Sequence, residues 1–160
     1  MIKLICIGKI KDSNLKALID DYTKKINHYH KLETIEVKDE PIKDNEKYVL
    51  DVEAQRALDK IDNDEYVILL DLHGKTLDSI EFAKKIDKLF ISYSKICFVI
   101  GGSLGLGEKL IERANFRLKL SDMTFLHQMT RLILLEQIYR SFKILNNETY
   151  HKWYVFYWNL

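Results

Sequence analysis

This sequence of 160 residues has one proline, two cysteines and almost no net charge. The lone proline, Pro41, excludes a proline-rich linker or tract. No apolar run approaches the roughly 20 residues that cross a bilayer, so we expect no membrane partner. The first residues, Met1 to Cys6, open directly into a strand pattern without the basic flank and apolar region of a secretory signal. A cytoplasmic protein is therefore expected.

The cysteines and the net charge further limit which kinds of protein this chain can be. Cys6 and Cys97 fall inside apolar strand patterns, so we expect reduced thiols in the core. The histidines lack metal-ligand spacing with cysteines or carboxylates, and no metal site is predicted. The formal net charge of +1 provides no overall field for a nucleic acid. An RNA partner would need a local basic patch.

One stretch, residues 95–145, carries the most informative pattern. An apolar strand over 96–100 leads into the loop Gly-Gly-Ser-Leu-Gly-Leu-Gly at 101–107. A short helix, a strand over 116–120, a polar bend over 121–124 and a long helix ending at Leu145 follow. Two turns thus follow neighbouring strands, which is where open α/β sheets bind ligands. Glycine lets a ligand approach the main chain closely.

The remaining sequence alternates strand and helix patterns. Apolar strands are predicted over 2–7, 32–37 and 66–72, each followed by a helix. Five strands in this order predict a single α/β domain over residues 1–160, a mostly parallel sheet with helices on both faces. The last helix is apolar around most of its circumference, which predicts cover on more than one side, with a second subunit as one of the covers.

Two glycine motifs allow alternative interpretations. Gly-Lys-Thr at 74–76 resembles the end of a phosphate-binding loop, but Leu69 replaces the first glycine that such a loop requires. We therefore predict a turn that leads into the next helix. The 101–107 loop reads G-x-x-G-x-G rather than the dinucleotide fingerprint G-x-G-x-x-G. It either serves a tight strand-to-helix turn alone or binds a ligand.

The segments FVIGGSLGL, LKLSDMTFLHQMTRLILLEQIYRSFKI and TYHK resemble the bacterial ribosomal RNA large-subunit methyltransferase H family, a member of the SPOUT class. The resemblance covers nearly the whole chain, including IGKIK and LDLHGK. It implies a deep C-terminal trefoil knot that binds S-adenosyl-L-methionine and functions as a homodimer. It also implies methylation of N3 of a pseudouridine in a stem-loop of 23S rRNA on assembled ribosomes. A SPOUT enzyme for another RNA and a non-catalytic ribosome-binding module remain alternatives.

The resemblance also implies roles for individual residues. The cofactor contacts fall on Leu70, Gly101, Leu120, Ser121, Asp122, Met123, Thr124 and Phe125. Catalytic roles are predicted for His151, Tyr150 and Arg140, and substrate-binding roles for His127, Arg131 and Lys152. The predicted basic patch comprises Arg131, Arg140, Lys143, His151 and Lys152, supported by Lys9 and Lys11.

Two departures from the family pattern stand out. Leu126 occupies a position where the family usually has proline, which predicts a less rigid loop. Family chains usually end near Lys152, whereas this chain adds the aromatic segment 153–160. That segment is predicted to pack as a strand or lid, to stack on RNA bases, or to be a disordered extension.

Overall fold

Within residues 1–42 and 45–152, which the computed structural model describes, strands and helices alternate. The elements are β1 (Ile2–Ile7), α1 (Ser13–Asn27), β2 (Leu32–Val37), α2 (Glu46–Leu58), β3 (Tyr66–Thr76), α3 (Ser79–Ser92), β4 (Ile96–Ile100), α4 (Glu108–Arg113), β5 (Phe116–Lys119) and α5 (His127–Leu145). The sheet has the order β2-β1-β4-β3-β5, and every neighbouring pair is parallel. The predicted α/β architecture is confirmed. Predictions for residues 153–160 lie outside the described residues.

The starts of α1, α2 and α3 are fixed by side chains that satisfy free backbone N–H groups. Asp12 caps α1 and accepts a hydrogen bond from the Leu15 N–H at 2.7 Å. Asp78 caps α3, and Glu81 completes a capping box. Such caps each stabilise a helix by about 1 kcal/mol. They define where the chain turns back from the sheet.

Two apolar clusters sandwich the sheet. Helices α1, α3 and α5 pack on one face, whereas α2 and α4 pack on the other. Helix α5 lies against both α1 and α3, and its Leu134 and Ile138 are fully buried there. Much of the apolar circumference of α5 is therefore covered within the chain. The homodimer remains a prediction, and Leu134 and Ile138 do not form an exposed interface.

Strand β3 is longer than the sequence pattern predicted. The turn expected at 74–76 is wrong, because these residues continue the strand beyond an irregularity between Leu70 and Lys75. Lys75 pairs with Leu118 of β5. A Cβ atom on Gly74 would lie 2.5 Å from the Arg117 carbonyl oxygen, so glycine permits the close approach of the two strands. The extension brings residues 71–73 to the edge where the candidate site lies.

Both cysteines are buried and free, as predicted. Burial raises the pKa of the Cys6 and Cys97 thiols to about 12. Both thiols therefore remain protonated and act as small apolar side chains in the core.

Candidate functional site

A cavity of about 710 Å³ opens at the carboxyl ends of β3, β4 and β5. We call it the glycine-loop cavity, because the loop that follows β4 forms one of its walls. The wall from β3 comprises residues 70–73, and residues 101–106 supply the loop. The opposite side is formed by residues 118, 120, 121, 123–127 and 130. Its volume lies within the range of about 300–1,000 Å³ typical of small-molecule sites.

The glycine loop is folded tightly against itself. The Gly105 N–H donates to the Gly102 carbonyl oxygen at 3.2 Å, and Gly105 has a φ of +102°. A Cβ atom on Gly101 would come closer than 3.0 Å to the Gly105 carbonyl oxygen. Glycine is therefore required at both positions, and the wall of the cavity at Gly101 is bare main chain.

Seven of the eight residues predicted to contact a cofactor line this one cavity. They are Leu70, Gly101, Leu120, Ser121, Met123, Thr124 and Phe125. Asp122 does not line it: its side chain is 89% exposed and forms an ion pair with Lys119. The structure thus brings together positions that are up to 55 residues apart in sequence, without assigning them a ligand.

Strand β3 adds wall residues that sequence analysis did not single out. Asp71 lines the cavity, yet its carboxylate pairs with Arg117 at 2.6 Å and accepts the His73 N–H at 2.9 Å. The LDLHGK segment contained the signal, but only Leu70 had been assigned there. Because Arg117 neutralises Asp71, the cavity wall offers polar main chain and apolar side chains rather than an unpaired carboxylate.

A second cavity of about 610 Å³ lies beside the first, at the carboxyl ends of β1 and β2. We call it the lysine cavity. Its lining residues are Gly8, Lys9, Lys11, Glu36, Lys38, Asp39, Ser103, His127 and Gln128. Ser103 and His127 line both cavities. The two spaces therefore share a wall.

His127, predicted to bind substrate, stands at this shared wall. Burial lowers the pKa of its imidazole below the usual 6.5, and the nearby Arg131 guanidinium lowers it further, while Asp39 opposes the shift. His127 is therefore mainly neutral at pH 7. A neutral imidazole can accept a proton or a hydrogen bond from a ligand in either cavity.

Arg131, also predicted to bind substrate, is only 3% exposed. Its guanidinium pairs with Glu36 at 2.5 Å and donates to the Gly8 carbonyl oxygen at 3.1 Å. Sequence analysis could not detect this, because Glu36 lies far away along the chain. Arg131 ties α5 to the ends of β1 and β2, and it is not part of an exposed basic surface.

The three predicted catalytic residues meet each other but not the cavities. An Arg140 Nη1 lies 3.2 Å from His151 Nδ1, and the guanidinium lies over the Tyr150 ring at 4.8 Å. Glu136, which sequence analysis missed, accepts from Arg140 Nε at 3.0 Å and from the Tyr150 hydroxyl at 3.1 Å. We call Glu136, Arg140, Tyr150 and His151 the arginine cluster; Lys152 follows it and is exposed.

The arginine cluster is distant from the glycine-loop cavity within one chain. Arg140 lies ten residues beyond Thr130, the last α5 residue in the cavity lining, which corresponds to about 15 Å along the axis. Burial raises the pKa of Tyr150, and the Tyr22 hydroxyl and Glu136 raise it further. Tyr150 is thus a neutral hydrogen-bond donor at physiological pH. Neither cavity has a residue of this cluster in its lining.

The described residues contain neither a candidate membrane-spanning helix nor a candidate metal site. Within 1–42 and 45–152, no helix has the length and apolarity needed to traverse a membrane. The same ranges contain no group of three or more histidine, cysteine, aspartate or glutamate side chains placed to hold a metal ion.

Comparisons with known proteins agree with this architecture. Residues 1–151 match the family model described as "Predicted SPOUT methyltransferase". The chain is 48% identical over 157 residues to "Ribosomal RNA large subunit methyltransferase H" of Acetivibrio thermocellus, covering 94% of this chain and 99% of that protein. The protein of that name from Clostridioides difficile strain 630 is 46% identical with the same coverage.

A solved structure shares the fold. The match is to a probable methylase family protein from Haemophilus influenzae Rd KW20, with a TM-score of 0.53 and 16% identity. It covers 94% of this chain and 70% of that chain. At this identity the likeness concerns the fold alone.

Proposed function

Because this chain belongs to the SPOUT methyltransferases, and among them to the ribosomal RNA large subunit methyltransferase H family, we propose that it methylates N3 of a pseudouridine in a stem-loop of 23S rRNA. The proposed donor is S-adenosylmethionine, and the proposed substrate is the assembled ribosome in the cytoplasm. The observation that carries the proposal is the convergence of seven motif residues on the glycine-loop cavity. The deep trefoil knot that the family implies belongs to the same proposal.

The glycine-loop cavity fits the proposed donor. Leu70, Leu120 and Phe125 provide apolar surface for an adenine ring, while the main chain of the 120–125 bend can pair with its edge. Gly101 contributes main chain to this wall, because the Gly105 carbonyl oxygen already occupies the space that a Cβ atom would need. S-adenosylmethionine, when bound, supplies an electrophilic methyl group.

The residues of this chain would contribute mainly positioning and proton transfer. Holding a methyl carbon in line with the attacking nitrogen contributes several kcal/mol through effective concentration. Leu70, Gly101 and the 120–125 bend would hold the donor, which would supply its methyl group to the base nitrogen. The N3 proton must leave, so a base or charge-stabilising group is needed. His127 lies close enough to the cavity for this task, whereas the arginine cluster does not.

A homodimer would bring the arginine cluster to the cavity. Helix α5 has one side outside both core clusters, with Met129 at 41% exposure, Ile133 half-buried and Arg140 in line with them. A two-fold axis perpendicular to α5 pairs two copies antiparallel. If the axis passes between Ile133 and Gln137, Arg140 faces Thr130 of the partner subunit. Thr130 lines the glycine-loop cavity.

The reaction is tested with ribosomes from a strain that lacks the native methyltransferase. Purified protein and labelled S-adenosylmethionine should label one pseudouridine of 23S rRNA, mapped at nucleotide resolution. Label in a different RNA would favour the alternative SPOUT enzyme. Cofactor binding by calorimetry and ribosome binding without label would favour the non-catalytic module.

The shared site is tested by mixing two inactive variants. Gly101→Ala should disable the cofactor wall, and Arg140→Ala should disable the arginine cluster. In a mixed dimer, one subunit retains an intact cavity while its partner retains an intact cluster. The mixture should therefore recover up to about one quarter of wild-type activity if subunits exchange randomly. A mixture as inactive as its components would place both functions in one chain.

A further inference from the structure

The cations predicted to form an RNA surface are largely paired. Arg131 pairs with Glu36, Arg140 with Glu136, and Lys143 with Glu148. Each carboxylate cancels most of the attraction that its partner would exert on a phosphate. These three members of the predicted basic patch therefore contribute less positive charge than the sequence suggested.

The lysine cavity has the opposite character. Lys9, Lys11 and Lys38 are exposed there and form no ion pair with any residue in the described ranges 1–42 and 45–152. The acidic lining comprises Asp39 and Glu36, and Arg131 already neutralises Glu36. The cavity consequently carries a local excess of positive charge in a chain whose net charge is +1. Such local excess attracts phosphate groups.

Helix α2 fixes one wall of the lysine cavity. Arg56 donates to the Lys38 carbonyl oxygen at 3.0 Å and pairs with the Glu40 carboxylate at 2.6 Å. The Glu40 N–H donates to the buried Glu53 carboxylate at 2.9 Å. These contacts hold the segment that carries Lys38 and Asp39 in place before any ligand binds.

Helix α5 fixes the facing wall. Gln128 donates to the Lys9 carbonyl oxygen at 3.3 Å, and Arg131 donates to the Gly8 carbonyl oxygen at 3.1 Å. Gly8 has a φ of +88°, a conformation that favours glycine. Hydrogen bonds from α2 and α5 thus fix both walls. Ligand binding would therefore lose little conformational entropy in ordering these walls.

From this arrangement we infer that the lysine cavity receives the nucleotide that is methylated, with Lys9, Lys11 and Lys38 binding its flanking phosphates. This inference rests on the proposed function. The cavity has room for a nucleotide, and its base would lie against Ser103 and His127, the wall shared with the glycine-loop cavity. A nucleotide placed there lies next to the space assigned to the methyl donor.

The test compares two variants with the same change in net charge. The first is Lys9→Gln, Lys11→Gln and Lys38→Gln together. The matched control is Lys60→Gln, Lys84→Gln and Lys88→Gln, three exposed lysines outside both cavities. Affinity for ribosomes whose 23S rRNA lacks the modification is measured across salt concentrations, and cofactor affinity is measured by calorimetry. Lys→Arg replacement at positions 9, 11 and 38 provides a charge-preserving rescue.

The cavity variant should bind RNA at least about tenfold more weakly, with the salt slope reduced by about two to three. Its cofactor affinity should equal that of wild type, and the arginine version should recover the slope. RNA affinity and slope equal to those of the control would overturn the inference. Failure of the proposed function appears separately, as absence of methyl transfer by the wild-type protein.

A crosslinking experiment locates the nucleotide itself. Ribosomes carrying 4-thiouridine at the methylated position of 23S rRNA are irradiated with the wild-type protein, and crosslinked peptides are identified by mass spectrometry. Crosslinks should fall at Ser103, or within 8–11, 36–39 or 127–128. Crosslinks confined to other segments would overturn the assignment even if the three lysines bind RNA.

Discussion

Replacing Gly101 with alanine perturbs the proposed cofactor wall by one methyl group. Its Cβ would lie closer than 3.0 Å to the Gly105 carbonyl oxygen and 2.9 Å from Leu106 Cδ2. Leu106 can turn away, but the carbonyl belongs to a backbone closed by the hydrogen bond between Gly105 and Gly102. The loop must therefore open to accept the methyl group.

The expected loss follows from that geometry. Overpacking a fixed backbone costs about 1–3 kcal/mol, and weakening the loop hydrogen bond costs about 1 kcal/mol. Some of this strain is relieved by loop movement, so we expect the free energy of unfolding to fall by about 2 kcal/mol. The same movement displaces the wall of the cavity, and cofactor affinity should fall at least about tenfold, or 1.4 kcal/mol.

Gly107→Ala is the matched control. Its Cβ would lie 2.6 Å from the Leu50 carbonyl oxygen and 2.7 Å from Ala54 Cβ, on the α2 side. Gly107 is absent from the lining of the glycine-loop cavity. Urea unfolding should show similar destabilisation of both variants, whereas calorimetry should show a large loss of cofactor affinity for Gly101→Ala alone. Equal cofactor affinities in the two variants would refute the assignment of this wall.

Two further predictions concern buried charges. Arg131→Met leaves the Gly8 carbonyl oxygen without its donor and Glu36 without its ion-pair partner. Urea unfolding should therefore show a free energy of unfolding that is lower by about 2 kcal/mol. A decrease of less than about 0.5 kcal/mol would contradict the positioning role of Arg131. Burial raises the pKa of Glu53 above its usual 4.5, so its contribution to stability is greatest at low pH and is lost as the pH rises through the raised value. Glu53→Gln should therefore gain stability relative to wild type between pH 4 and pH 8 in urea titrations, and a pH-independent difference would contradict this.

The centre of the sheet could be predicted from sequence because its signals are local. Strand β4 is a continuous apolar run that ends at a glycine loop, and the observed strand, Ile96–Ile100, has the predicted bounds. The part of β3 beyond Leu70 has no continuous apolar run that would predict a strand. Its residues after Leu70 pair with β5 only because Gly74 allows a close approach to Arg117, and that contact joins distant segments.

At the candidate site, the contacts of the two arginines also could not be predicted from the sequence. Arg131 and Arg140 occupy similar polar positions in the helix sequence, and both were predicted to face RNA. Arg131 is buried because Glu36 and the Gly8 carbonyl oxygen meet it across the sheet. Arg140 lies instead beside Glu136 and His151. Helical periodicity predicts which way a side chain points, but it does not predict which residue of another element will contact that side chain.

Because α5 is one continuous helix, the proposed homodimer can be tested through its effect on methyl transfer. One continuous helix separates His127 from Arg140 by about 20 Å, so no local movement within a chain brings the arginine cluster to the cavity. Ile133→Asp places a charge on the uncovered side of α5, where it should prevent antiparallel pairing at little cost to the core. Ile91→Asp, at an isoleucine of α3 that is 81% exposed, is the control.

The Ile133→Asp variant should be monomeric by light scattering, bind S-adenosylmethionine with wild-type affinity and transfer no methyl group to ribosomes. The control should remain dimeric and active. These outcomes separate assembly from cofactor binding, because the glycine-loop cavity is formed within one chain. A monomer with full activity would remove the arginine cluster of the partner subunit from the reaction and leave His127 as the proton acceptor nearest the cofactor.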